Sequence, residues 1–344
     1  MRKKIIIISS IILSIILLYF VGGIIASNIV FNNIFNRRFS DSNTLLEPIN
    51  KIYKNRDDYI NLKNRIEYDF YSSNNKLKGY YYKNNDSKGL VIACHGMSSQ
   101  ADSENLAYQN YFVSNGYSLF SFDFTAHGKS EGSSMNGLSQ AAYDVKACYD
   151  FIFENNLYEN NIVLIGHSLG GYGVASALNL GVKANYLITF SAFDNPYDTM
   201  LRYSKNSMGD IVNLTLPTFY LTSNIKYGAN NYLSASEGIK KSNIKSLVIH
   251  GANDKNIPLD DASLISHVTN YQNVEKEILV GVGHNTPWFS TKAIDYVNDI
   301  IKPKIEELKN DKEKLDEYIN SINKNETSEL NENLFNKINE FIRS

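Results

Sequence analysis

A chain of 344 residues, 43% of them hydrophobic, is long enough for one large α/β domain with additional segments at its ends. A formal net charge of −2 gives no electrostatic basis for binding nucleic acid, because that affinity rests on neutralising phosphates. The two cysteines, Cys94 in an expected core strand and Cys148 in an expected helix, read as small buried hydrophobes, and the ligand clusters a metal site requires are absent.

Arg2, Lys3 and Lys4 precede an apolar stretch from Ile5 to about Ala26. Roughly 20 helical residues cross the hydrocarbon core of a bilayer, so this stretch is long enough to span. It exceeds the apolar region of a cleaved signal, which runs to about 15 residues. Residues 1–27 therefore read as a single-pass membrane anchor. With the amino terminus counted, the positive charge before the span outweighs Arg37 and Arg38 after it, which predicts a body outside the cytoplasm. Residues 28–65 read as a polar connector followed, after Pro48, by a packing helix carrying Ile49, Ile52, Tyr53, Tyr59, Ile60 and Leu62.

Two strand-like runs, Ile66 to Phe70 and Leu77 to Tyr82, flank the polar turn residues Ser72 to Asn75 and predict an antiparallel hairpin at a sheet edge. The continuous apolar run from Leu90 to Cys94 is the pattern of a strand covered on both faces. Alternating segments follow: a helix over about 104–115, a strand over 117–123, a helix over 137–155, then Ile162 to Ile165 and Tyr186 to Phe190 as further strands. This alternation predicts an α/β fold with a mostly parallel, doubly wound sheet. Residues 191–245 break it with aromatics and turn residues, and read as a cap inserted above the strand ends, roofing a pocket. Strands over 246–250 and 275–280 resume it, and after Pro303 residues 303–344 have the spacing of two amphipathic helices.

The chemistry centres on Gly166-His167-Ser168-Leu169-Gly170, set between a β-branched strand run and a small-residue helix. A strand-to-helix turn this sharp needs glycine two places before and after its apex, and it lifts a serine hydroxyl clear of the sheet. A histidine must then take the proton, since the hydroxyl alone is a poor nucleophile. Of the six histidines, His284 has the Gly-flanked loop after the last strand and lies downstream. Asp254, just past the strand at 246–250, suits the acid that orients it, with Asp194 and Asp123 as rivals. His95 reads as structural.

Residues 66–302 resemble the α/β-hydrolase superfamily, in the branch of serine aminopeptidase-like and monoacylglycerol-lipase-like enzymes. The resemblance is carried by His95-Gly96, Asp123 with His127-Gly128-Lys129-Ser130, the Ser168 elbow, Asp254 with Pro258, and Gly283-His284. Thr125 and Ala126 stand where that branch usually has Arg and Gly. The resemblance implies hydrolysis of an ester, thioester or amide through an acyl-serine, with no metal or organic cofactor. It also implies an oxyanion hole made by the backbone N–H groups of Met97 and Leu169. The expected catalytic set is thus Ser168, Asp254 and His284, acting on a small acyl substrate at a membrane. Esterase or lipase activity ranks ahead of aminopeptidase or thioesterase activity, and the alternative class is a catalytically silent scaffold.

Overall fold

The computed structural model describes residues 2–34, 36–39, 48–103, 105–158, 161–260 and 262–344. Eight strands form one sheet: β1 Ile66–Ser72, β2 Asn75–Tyr82, β3 Leu90–Cys94, β4 Ser118–Phe122, β5 Ile162–His167, β6 Tyr186–Phe190, β7 Lys245–Gly251 and β8 Val274–Leu279. Their spatial order is β1-β2-β4-β3-β5-β6-β7-β8. The first two pairings are antiparallel and the remaining five parallel.

Side chains alternate across β3 and β5, so both faces bury apolar surface. Leu90, Ile92 and Leu164 enter one core, and Val91, Ala93 and Ile165 enter the other. The helices α2 Leu106–Ser114, α3 Gln140–Glu154 and α4 Leu169–Ser176 link the central strands. Register positions the site: Cys94 of β3 pairs with Gly166 of β5, so these two strands end level and their following loops meet. Gly251 of β7 pairs with Leu279 of β8, which does the same for the loops carrying Asp254 and His284. Cys94 and Cys148 are free thiols, buried, and burial pushes both up in pKa.

Four expectations about the flanking segments change. The N-terminal helix α1 runs from Arg2 to Ile34 with no break at 28. Phe31 is fully buried and its ring lies 4.7 Å from that of Phe219, so packing carries the helix past the polar residues Asn28 and Asn32. The segment after Pro48 is not one helix but three short 3₁₀ turns, Ile49–Ile52, Arg56–Asp58 and Ile60–Leu62. Asn55 ends the first register by accepting hydrogen bonds from the N–H groups of Asp57 and Asp58.

Within 191–245 lie α5 Pro196–Met208, α6 Ile211–Tyr227 and α7 Ala235–Ser242. They do not gather into one roof: α6 packs along α1, α7 packs beside α4, and among the described residues only α5 reaches the cavity, through Tyr203. A short helix, α8 Leu264–His267, precedes β8. The C-terminal region is α9 Thr291–Asp295, a π-helical turn Tyr296–Ile301, α10 Lys302–Leu308, α11 Lys312–Ser321, α12 Lys324–Thr327 and α13 Glu332–Phe341, rather than two helices after 303. Pro303 causes no break: it directly follows the π-helical turn Tyr296–Ile301, and the helix runs on through it to Leu308.

Candidate active site

Ser168 joins β5 to α4 with φ +51° and ψ −113°, a conformation that costs of order 1–3 kcal/mol and persists only where its surroundings enforce it. The enforcement is visible. The Ser168 N–H donates to Phe190 O at 2.8 Å, and its carbonyl accepts from Tyr172 N at 2.9 Å. A Cβ at Gly166 would lie 2.3 Å from the Gly170 carbonyl carbon, and one at Gly170 would lie 2.3 Å from Cys94 O. Both glycines are required by close backbone approach, and the second contact brings the elbow directly against the loop after β3.

Opposite the elbow, Ser168 Oγ lies 2.9 Å from His284 Nε2, and His284 Nδ1 lies 2.7 Å from Asp254 Oδ2. A carboxylate can only accept, so Nδ1 carries the hydrogen and Nε2 is left to accept from the serine hydroxyl. The other Asp254 oxygen takes the N–H groups of Asn256 and Ile257, each at 2.9 Å. Burial pushes the Asp254 carboxyl up, but the hydrogen bond and charge of His284 and the Ile257 N–H outweigh it. The net pKa lies below the ordinary carboxylate value. His250 stands 3.4 Å from the same carboxylate, yet its Nε2–H donates to Ile257 O at 2.7 Å, and burial holds its pKa down. The arrangement has the connectivity of a nucleophile, base and orienting acid.

The other candidate acids are engaged elsewhere. Asp194 accepts from Ser236 N at 2.7 Å and from the Ser234 hydroxyl. Asp123 accepts from Ala101 N at 2.8 Å, Lys129 N at 2.9 Å and the Tyr80 hydroxyl at 3.0 Å, tying together two loops. His95 donates from Nδ1 to Gly96 O at 2.7 Å and accepts Phe124 N–H at Nε2, so it holds the loop on which Met97 sits. Met97 lines the cavity. Leu169 is the first residue of α4, where N–H groups have no intrahelical acceptor.

Several site features escaped the sequence. His167 Nε2 donates to His284 O at 2.8 Å, fastening the histidine loop to the elbow. Trp288, the single tryptophan, packs its ring edge-on to His167 at 5.2 Å. A loop with Thr at 125 is pinned by Arg38, whose guanidinium donates to the carbonyls of Gly128, Ser130 and Gly132 at 2.6, 2.8 and 3.1 Å. Thr125 itself donates its N–H and hydroxyl to the buried Asp144. Ala126 occupies the position where the related branch has glycine, at φ +62°.

Ser168 and His284 open into a cavity of about 1000 Å³. Its walls come from residues 49–59, 96–103, 105–107, 285–302 and 319–328, and of residues 191–245 only Tyr203 takes part among the described residues. The connector and the C-terminal helices, read from sequence as a packing segment and two amphipathic helices, thus build the pocket that the insertion was expected to roof.

The family described as serine aminopeptidase, S33, matches residues 85–231, a span that includes Ser168 but stops before Asp254 and His284. Among solved structures, Pyrococcus furiosus esterase Pf2001 superposes with a TM-score of 0.50 at 20% identity, over 72% of this chain and 91% of that one. The chain has the α/β-hydrolase fold. Est1E of Butyrivibrio proteoclasticus, solved with ferulic acid, superposes on this chain with a TM-score of 0.50 at 18% identity, over 70% and 98% of the two chains. Proteins named "Putative esterase/lipase 2" from Mycoplasma pneumoniae and Mycoplasma genitalium are 26% and 28% identical to it over 254 and 255 residues. Each match covers 64% of this chain and 92% of its relative.

Proposed function

We propose that this α/β hydrolase cleaves carboxylic esters through an acyl-Ser168 intermediate while anchored in a membrane by α1. The observation that carries the reading is the unbroken chain of hydrogen bonds from Ser168 through His284 to Asp254, at 2.9 and 2.7 Å. Ser168 Oγ attacks the ester carbonyl as its proton passes to His284 Nε2. Negative charge collects on the carbonyl oxygen, where the N–H groups of Met97 and Leu169 receive it; one such donor is typically worth about 2.7–4 kcal/mol. Asp254 steadies the imidazolium. Collapse of the intermediate expels the alcohol, which takes the proton from His284. A water then gives its proton to His284 and its oxygen to the acyl carbon, releasing the acid and restoring Ser168.

The charge of the cavity favours esters over aminoacyl amides. Among the described residues its charged lining, histidines aside, is Lys51, Lys54, Lys302 and Lys324 against Asp102, which already pairs with Arg65. A substrate bearing a free ammonium would meet these cations and, among the described residues, no available carboxylate. The names of the Mycoplasma relatives agree with this preference.

For the anchor, α1 has a mean hydropathy of 2.8 over its most apolar 18 residues, none of them buried, and carries Arg2, Lys3 and Lys4 at one end. That bias favours a body outside the cytoplasm. A panel of nitrophenyl esters and aminoacyl amides, run with wild type and Ser168→Ala, tests the reaction. Ester turnover abolished by the substitution is expected, and amide preference overturns the ranking. Protease treatment of intact cells tests the side: cleavage of the body is expected, and full protection reverses the topology.

A further inference from the structure

Helix α6 is an unusual surface helix. From Ile211 to Ile225 it has no charged residue. Ile211, Leu214, Leu221 and Ile225 recur at spacings that place them on one face, and that face points outward: they are 56, 70, 39 and 72% exposed. Surface helices normally turn such a stripe toward the core. Here the core-facing side is a second one, bearing Val212, Thr218, Phe219, Thr222 and Ser223.

The helix also needs little from water. Thr215 and Thr218 donate their hydroxyls to Val212 O and Thr215 O, and Ser223 and Asn224 both donate to Tyr220 O, all within the helix. Pro217 lies in its interior, a feature tolerated in lipid where hydroxyl side chains satisfy freed backbone groups.

What lies beside α6 decides what covers its outer face. It runs parallel to α1, residues 19, 23 and 32 of α1 lying level with 214, 218 and 226 of α6. Tyr19 of α1 donates its hydroxyl to Leu214 O at 2.6 Å, Phe31 packs on Phe219, and Lys226 reaches Asn32 at 3.2 Å. At Gly23 the two helices come so close that a Cβ would lie 2.4 Å from Thr218 Oγ1. The amino-terminal half of α6 is therefore level with residues 19–23, inside the charge-free stretch of α1, and its exposed stripe continues the apolar surface of Ile15, Ile16, Leu18 and Ile25.

We propose that α6 enters the lipid bilayer alongside α1, with Ile211 and Leu214 deeper than Ile225, so that the insertion 191–245 seats the enzyme on the membrane. The proposal rests on the reading of α1 as a membrane anchor.

The test uses the full chain in phosphatidylcholine vesicles, with single surface cysteines carrying an environment-sensitive fluorophore. Cys94 and Cys148 are buried and leave the label to the introduced site. Labels at Leu214→Cys and Ile225→Cys report on α6, one at Leu13→Cys on α1, and one at Tyr71→Cys on the far sheet edge. Quenching by lipids spin-labelled in their acyl chains is expected at 13 and 214, weaker at 225, and absent at 71. Quenching at 13 with none at 214 overturns the proposal while leaving the anchor intact. No quenching at either position removes both. A label at 214 that responds to protein concentration but not to spin-labelled lipid assigns the stripe to a second copy of the chain, and likewise overturns it.

Discussion

Gly170 lies beneath Cys94, so near that a methyl group at 170 would stand 2.3 Å from the Cys94 carbonyl oxygen. This one contact presses the Ser168 elbow onto the loop after β3, and it is made by backbone that cannot swing aside. Gly170→Ala is expected to destabilise the protein by about 1–3 kcal/mol through overpacking, and to abolish ester turnover because the elbow must shift. Thermal unfolding and initial rates on one preparation check both.

Asp254 fixes the tautomer of His284. Asp254→Asn should leave the fold intact and lower kcat by about four orders of magnitude, as loss of the correct tautomer does in such triads. Asp194→Asn, whose carboxylate faces Ser234 and Ser236, should change turnover little. Steady-state kinetics of the two variants separate these outcomes, and the reverse pattern would reassign the acid.

The Asp254 carboxyl is held below its ordinary pKa by His284 and the Ile257 N–H against the opposing effect of burial. A folded-state value below the unfolded one stabilises the protein fully above the unfolded value, and that contribution is lost as pH falls through the folded value. The stability difference between wild type and Asp254→Asn should therefore be flat through neutral pH and begin to narrow near about pH 4. Urea unfolding at a series of pH values measures it, and a difference that stays constant to the acid limit of folding contradicts the assignment.

Arg38 is the fastening of the 125–132 loop. Removing its three hydrogen bonds in Arg38→Ala should cost about 1.5–3 kcal/mol, the range for bonds to a charged donor. Turnover at low temperature should fall far less than in Gly170→Ala, because the elbow itself is untouched. Chemical denaturation with parallel kinetics checks the expectation.

How far these features were legible in the sequence follows from where each interaction is written. Strands buried on both faces appear as unbroken apolar runs, which is why Leu90 to Cys94 and Ile162 to Ile165 stand out. Ser168 and Asp254 each follow such a run within a few residues, and His284 follows the half-exposed last strand, Val274–Leu279, so strand order brings the three to one edge of the sheet. The cavity walls leave no such trace: Tyr53, Lys54, Trp288 and Lys324 share no period or motif, and only the folding of both ends onto the sheet gathers them. Arg38 and the 125–132 loop are separated by some ninety positions, and nothing local in either announces the other. Residues 191–245 mislead for a physical reason. An aromatic-rich insertion implies apolar surface to be covered, and here that surface meets α1 instead of the space above Ser168.

The most direct test of the acyl-enzyme reading is covalent labelling of the full chain with a fluorophosphonate, read by intact mass and by mapping the modified peptide. One phosphonyl group per chain, on Ser168, is expected for wild type, with none on Ser168→Ala and slow labelling of His284→Ala. Wild type that stays unmodified, or carries the group on another residue, would contradict the account.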